Sequence, residues 1–128
     1  MKHQKTARHA KPVTRTADAP PREPVRWFAG VMETKLREND HKGGWRDCDF
    51  DCLEKRIREE LAELATVLMQ YQIAALSPHE LTRTRHLGEK AKREAADVAN
   101  FAMMIADRVR GELLDLGSAE PEESERAP

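Results

Sequence analysis

Glu60 with Glu63, and Glu94 with Asp97, form two pairs of carboxylates, each spaced i, i+3. On a helix that spacing puts both side chains on one face, about a turn apart. Both faces are otherwise apolar. Counting by threes and fours from Glu60 reaches Leu53, Ile57, Leu64, Val67 and Tyr71; counting from Asp97 reaches Glu94, Phe101 and Met104. Four carboxylates therefore continue stripes that should face a core, where unpaired negative charge is costly. Two ways of neutralising them compete. The many Lys and Arg residues of the same helices can form salt bridges with them. Alternatively, two helices packed side by side converge all four on a hard cation such as Mg²⁺, which takes oxygen ligands. One such pair alone would read as a solvated helix face. Two pairs on two stripes favour the metal.

The elements that must position these groups are helices. A first segment over Pro24–Asn39 has Pro24 in its first turn and repeats Trp27, Phe28, Val31, Met32, Lys35 and Leu36 at helical spacing. It stops at His41-Lys42-Gly43-Gly44. A second helix starts near Asp49 or Asp51, either of which suits the cap position. Its long stripe is Leu53, Ile57, Leu61, Leu64, Leu68, Tyr71 and Ala75. Ser77-Pro78-His79-Glu80 then reads as a capping box opening a short helix. Gly88 weakens that helix, and a last long one runs from about Glu89 to Leu114 on Ala91, Ala95, Val98, Ala102, Ile105 and Val109. Nothing alternates with period two. The expected fold is an all-α bundle.

With 128 residues, net charge -1 and 35% charged residues, the chain suits one small domain. No apolar run approaches the ~20 residues needed to span a bilayer, and the N-terminus lacks the apolar stretch of a signal peptide. Cys48 and Cys52 are too few for a disulfide framework, and no His/Cys set completes a zinc site. They are expected to be reduced thiols in a cytoplasmic protein. Residues 1–24 carry Lys2, Lys5, Arg8, Lys11 and Arg15 with several prolines, whereas residues 117–128 carry Glu120, Glu122, Glu123 and Glu125. Both read as disordered tails, basic and acidic respectively. A helical domain over residues 25–116 remains. A core of about 90 residues is small enough that oligomerisation is a usual remedy.

The order of these features is familiar. Glu59-Glu60-Leu61-Ala62-Glu63 followed by Glu94-Ala95-Ala96-Asp97 resembles the EExxE…ExxD signature of the MazG-like all-α nucleoside triphosphate pyrophosphohydrolases. More narrowly, Trp27-Phe28, Met32-Glu33, Lys35-Leu36, Asn39, Lys42-Gly43-Gly44-Trp45 and Asp97-Val98-Ala99-Asn100-Phe101 resemble phage-encoded members. Those are dATP/dGTP diphosphohydrolases, including the type that supplies dGMP where phage DNA replaces adenine with 2-aminoadenine. The resemblance spans residues 26–110 and leaves out both tails. The gap between Glu63 and Glu94 is longer than in many members, so a departure is expected over residues 76–90. By resemblance, the chain cleaves between the α- and β-phosphates, releasing a monophosphate and pyrophosphate. Glu60, Glu63, Glu94 and Asp97 become Mg²⁺ ligands, with Mn²⁺ as a substitute. Glu59 becomes a further ligand or a water-orienting group, and Glu60 a group that orients or deprotonates water. The resemblance also implies a homo-oligomer, either a dimer or a tetramer built as a dimer of dimers. Physically, a triphosphate brings about four negative charges, so carboxylates can face it only across a divalent cation.

The remaining candidates divide between binding and packing. Lys42, Gly43, Gly44 and Trp45 suit close backbone approach to a nucleotide, with Trp45 on the base and Lys42 at phosphate. A turn with a core tryptophan is the competing reading. Lys35 and Asn39, four apart, can line the same pocket, and Asn100 points along the metal face toward ribose or base. Lys90, Arg93 and Arg108 are weaker phosphate candidates that fit solvated faces better. Met103 and Met104 suit packing. Asp47, Asp49 and Asp51 lack the glycine and closing glutamate of a calcium loop, leaving capping as their role. A rival function is a nucleic-acid-binding or regulatory bundle using the basic tail as an arm. It accounts for the tail but not the carboxylates, which repel nucleic acid. A coiled-coil adaptor accounts for the stripe but not for the charges within it. The expected partners are thus a nucleoside triphosphate and further copies of this chain, with neither nucleic acid nor membrane.

Overall fold

The structure, a computed structural model, describes residues 19–118. Most of the expected basic tail (residues 1–18) and residues 119–128 lie outside this range. Three α-helices, α1 (Glu23–Glu38), α2 (Phe50–Ala75) and α3 (Leu81–Ser118), account for most of the chain, with 3₁₀ turns at Asp40–Lys42 and Trp45–Asp47. The described residues form no strand, and the all-α class holds. None of these helices is long and apolar enough to cross a membrane.

Local chemistry explains the boundaries. Pro24 sits in the first turn of α1, where its missing N–H costs nothing. Gly43 has φ 87°, a conformation that side chains oppose, and it turns the chain away from α1. Of the two candidate caps for α2, Asp49 serves: its Oδ1 accepts the Cys52 N–H at 2.8 Å.

Helices α2 and α3 pack along most of α2, and α1 lies on α3. On α2 the buried positions Leu53, Glu60, Val67 and Ala74 recur every seven residues, with half-buried Ile57, Leu64 and Tyr71 between them. That is a coiled-coil seam. Leu87, Ala96 and Asn100 are the buried positions of α3.

The seam is the stripe counted from Glu60, and it corrects the longer apolar stripes. Leu61 and Leu68 are exposed (54% and 43%), as is Ala75, because the seam runs through Glu60, Val67 and Ala74 beside them. On α3, Ala102 and Val109 are likewise exposed. Two expected breaks also differ. Glu80 donates its N–H to the Ser77 carbonyl at 3.2 Å, and Thr84 to the Glu80 carbonyl at 2.8 Å. Ser77–Glu80 is therefore the turn between α2 and α3, not a capping box, and the helix opens at Leu81. Gly88 does not divide it. A Cβ there would lie 3.2 Å from Tyr71 Cε2, so the glycine allows α2 and α3 to approach closely while the helix continues. The expected short helix and last helix are one element of 38 residues, about 57 Å long. It extends through Ser118 into the expected acidic tail, and α1 begins at Glu23, one residue before the expected Pro24 and inside the expected basic tail. Finally, Cys48 and Cys52 are not free thiols but a disulfide. Their Cα atoms lie 5.6 Å apart, because the 3₁₀ turn ending at Asp47 brings Cys48 back over the first turn of α2.

Candidate functional site

The α2–α3 seam positions the acidic groups. Glu60 takes a position that the seam otherwise fills with Leu53 and Val67, and Glu94 and Asp97 face it from α3. One carboxylate oxygen from each of Glu60, Glu94 and Asp97 lies within 4.8 Å of the others. Glu60 is only 9% exposed, and Glu94 Oε2 is buried with no hydrogen-bond partner. Burial pushes the Glu60 carboxyl above the ordinary glutamate range, with further upward pressure from Glu63 and Asp97 and an opposing pull from Arg56. Glu94 is raised by burial first, then by Glu63 and Asp97. Of the four expected ligands, Glu63 falls outside the three-oxygen group, although it lines the same cleft.

Of the two neutralising schemes anticipated from sequence, the salt bridges are present in part. Lys35 Nζ reaches Asp97 Oδ2 at 3.2 Å, and Arg56 Nη2 reaches Glu60 Oε1 at 3.5 Å. Two cations therefore serve the rim of the cluster and leave the buried Glu94 oxygen without a partner. An orphaned carboxylate oxygen beside two others is a donor set that fits a hard divalent cation.

Above the cluster opens a cleft of about 500 Å³. Lys35, Asn39, Lys42, Gly43, Gly44, Trp45 and Asn100 all line it, so α1, the turn after it and α3 bring the expected binding residues together. Asn100 is 4% exposed. Its Nδ2 donates to the Met32 carbonyl at 3.1 Å, which fixes the amide and leaves Oδ1 buried without a partner. Asn39 Nδ2 is occupied by the Lys35 carbonyl at 3.0 Å, which leaves its oxygen for a ligand. Glu59 stands apart: it is exposed, pairs with Arg56 Nη1 at 2.9 Å and does not line the cleft. One residue from Glu60 is a rotation of about 100° around the helix, enough to turn it off the seam.

Arg56 was not anticipated. It lines the cleft, bridges Glu59 and Glu60, and lies over the Phe101 ring at 5.3 Å. Its position four residues before Glu60 was the available signal. The Cys48–Cys52 disulfide, Phe101 and Met104 also form cleft walls. Neither Arg93 nor Arg108 lines the cleft. Arg93 grips Glu38 at 3.2 and 2.8 Å and so fastens the end of α1 to α3. Lys90 sits in a shallow depression with Glu63 and Glu94.

No family model, no curated protein and no solved structure matches this chain.

The raised carboxyls set a sign for stability. A folded-state pKa above the unfolded value means that folding opposes ionisation, so stability is lost as pH rises from the unfolded range through the folded value. In chelator, Glu94→Gln should raise Tm by about 2–5 °C at pH 7. The gain should shrink as pH falls to ~4, where the unfolded carboxyl also protonates. Thermal melts at the two pH values check this; a variant that melts lower at pH 7 would contradict it.

Proposed function

We propose that this chain is a divalent-cation-dependent nucleoside triphosphate diphosphohydrolase of the MazG-like all-α type. It cleaves a purine dNTP, dGTP or dATP, to the monophosphate and pyrophosphate. The observation carrying this reading is the convergence of Glu60, Glu94 and Asp97 within 4.8 Å under a cleft that also contains Trp45 and Asn100. The resemblance to phage-encoded members extends it to a supply of dGMP for modified phage DNA, within the host cytoplasm.

In this reading Glu60, Glu94 and Asp97 hold Mg²⁺ or Mn²⁺, with Glu63 joining by a change of rotamer. The bound cation supplies charge neutralisation for the triphosphate and Lewis-acid activation of water. Glu60, beside the water that such a cation would activate, would orient that water and take its proton. Lys35, now 3.2 Å from Asp97, is within side-chain reach of a phosphate above the cluster. Glu59 acts through Arg56, holding its guanidinium beside Glu60. Trp45 supplies a stacking face, worth about 1–3 kcal/mol per base. The unpartnered Asn100 Oδ1 accepts an N–H or O–H from base or sugar. The nucleic-acid-binding alternative rests on residues 1–18, outside the described range, and gains nothing from an acidic cleft.

The surface supports an assembly of copies. Leu61 and Leu68 on α2 and Leu113 and Leu114 on α3 are exposed, and among the described residues α2 packs chiefly against α3. A second copy that supplies helices to this face completes a four-helix unit, and pairing of two such units gives the tetramer. Light scattering at micromolar concentration should give a dimer or tetramer mass; a monomer mass would contradict it.

Glu60→Gln and Asp97→Asn should each lower turnover of dGTP with Mg²⁺ by about 100-fold or more, with helical content unchanged by circular dichroism. Full activity in EDTA or in both variants would overturn the metal assignment. In competition at equal concentration, dGTP and dATP should be consumed ahead of dCTP and dTTP. Consumption of a pyrimidine first would overturn the purine pocket and leave the metal chemistry standing.

A further inference from the structure

Arg108 lies on the face of α3 that carries Asp97, Phe101 and Met104, following them in steps of four, three and four. It falls beyond the end of the cleft and does not line it. Its guanidinium is committed elsewhere. Nη1 donates to the Cys48 carbonyl, Nη2 donates to the Arg46 carbonyl at 3.3 Å, and the guanidinium carbon lies 5.3 Å from the centre of the Phe50 ring. Two of these contacts fall on the segment that joins Trp45 to α2, and the third on the first residue of α2.

That segment needs an anchor. Upstream of Trp45 stand Gly43 and Gly44, and a Cβ built on either would meet nothing within 4 Å. At both glycines the backbone is therefore bordered by open space where a side chain would stand, and the Gly43 N–H is held only by the Asp40 carbonyl at 3.3 Å. Downstream, the 3₁₀ turn is closed by the Cys48 N–H on the Trp45 carbonyl at 3.1 Å. Cys48 is tied to Cys52 by the disulfide, which fixes one point of the segment but not its rotation about that point. The Arg108 fork supplies the second and third points. It meets two carbonyls at once while laying its flat face on Phe50, which an ammonium cannot do.

We propose that Arg108 is a positioning residue for the nucleotide pocket: by gripping the Arg46 and Cys48 carbonyls and stacking on Phe50, it fixes Trp45 as one wall of the cleft. This inference rests on the proposed nucleotide-hydrolysing reading. Arg108 touches neither substrate nor the carboxylate cluster, so its loss should weaken binding shared by ground and transition states and spare the chemical step.

The test compares Arg108→Gln and Arg108→Lys with the full wild-type chain in two measurements. In steady-state hydrolysis of dGTP with Mg²⁺, Arg108→Gln should raise KM about tenfold with kcat within about twofold, and Arg108→Lys should fall between. In hydrogen exchange without nucleotide, the Cys48 amide should exchange faster in Arg108→Gln, while amides of the α2–α3 seam keep their protection. If Arg108→Gln fails to fold, Phe50→Leu removes the stacking surface alone and should show the same pattern with a smaller rise in KM. An unchanged KM, a fall in kcat without a rise in KM, or unchanged exchange at Cys48 would overturn the proposal. A wild-type chain that hydrolyses no nucleoside triphosphate would sink the proposed activity instead, and the exchange comparison would still decide whether Arg108 fixes the loop.

Discussion

The structure turns on carboxylates placed in the seam between two helices. A seam position is ordinarily apolar, and Leu53 and Val67 show what the same heptad position holds one step away. Glu60 at that position, opposite Glu94 and Asp97, puts like charges within 4.8 Å in a partly dry environment. Burial, and the neighbouring negative charges after it, favour the protonated forms of Glu60 and Glu94. The chain offsets part of this with Lys35 on Asp97 and Arg56 on Glu60, and it leaves Glu94 Oε2 buried and unpartnered. A buried acceptor of this kind is costly in a purely structural seam. It is consistent with a site shaped for a cation that the protein's own side chains only partly replace.

The rest of the architecture follows from keeping that cluster open on one side. Helix α1 has no fully buried residue. It stays on α3 through a half-buried face of Phe28, Val31, Met32 and Leu36 and through the Glu38–Arg93 pair. The hydrogen bond from Arg93, with its charge as a smaller contribution, also holds the exposed Glu38 carboxyl below its usual range. The placement sets Lys35 over Asp97 and lets the Met32 carbonyl orient Asn100. The turn after α1 then swings Trp45 across the cleft. A half-buried apolar face and a few polar contacts, not a deep core, thus hold the wall opposite the carboxylates, and such walls adapt to ligands more readily than packed seams do.

Much of this was legible in the sequence because the informative spacings are local. The i, i+3 pairs, the Lys-Gly-Gly-Trp turn and the Asp49 cap depend on neighbours a few residues away. The register of the seam was legible from Glu60, whose count by threes and fours through Leu53, Ile57, Leu64, Val67 and Tyr71 is the observed seam. The longer apolar stripe drifted off it at Leu61, Leu68 and Ala75, because steps of three and four from Leu53 reach both Leu61 and Leu64. Gly88 reads as a helix breaker by propensity, and only the Tyr71 ring opposite it shows why a long helix retains a glycine. The cysteines were read by number and compartment, whereas the 3₁₀ turn that joins them is tertiary geometry. Glu59 was carried into the site by its adjacency to Glu60 in a motif, and helical rotation places it outside. Arg108 looked like a solvated cation because its partners are backbone carbonyls 60 and 62 residues away in sequence.

Mn²⁺ binding followed by electron paramagnetic resonance tests, without reference to turnover, whether these carboxylates assemble to bind a divalent cation. The wild-type chain should deplete the free-ion Mn²⁺ signal, Mg²⁺ should compete for the site, and Glu94→Gln should lose at least about tenfold in affinity. A wild-type chain that leaves the Mn²⁺ signal unchanged, or a Glu94→Gln variant that binds as tightly, would contradict that assignment.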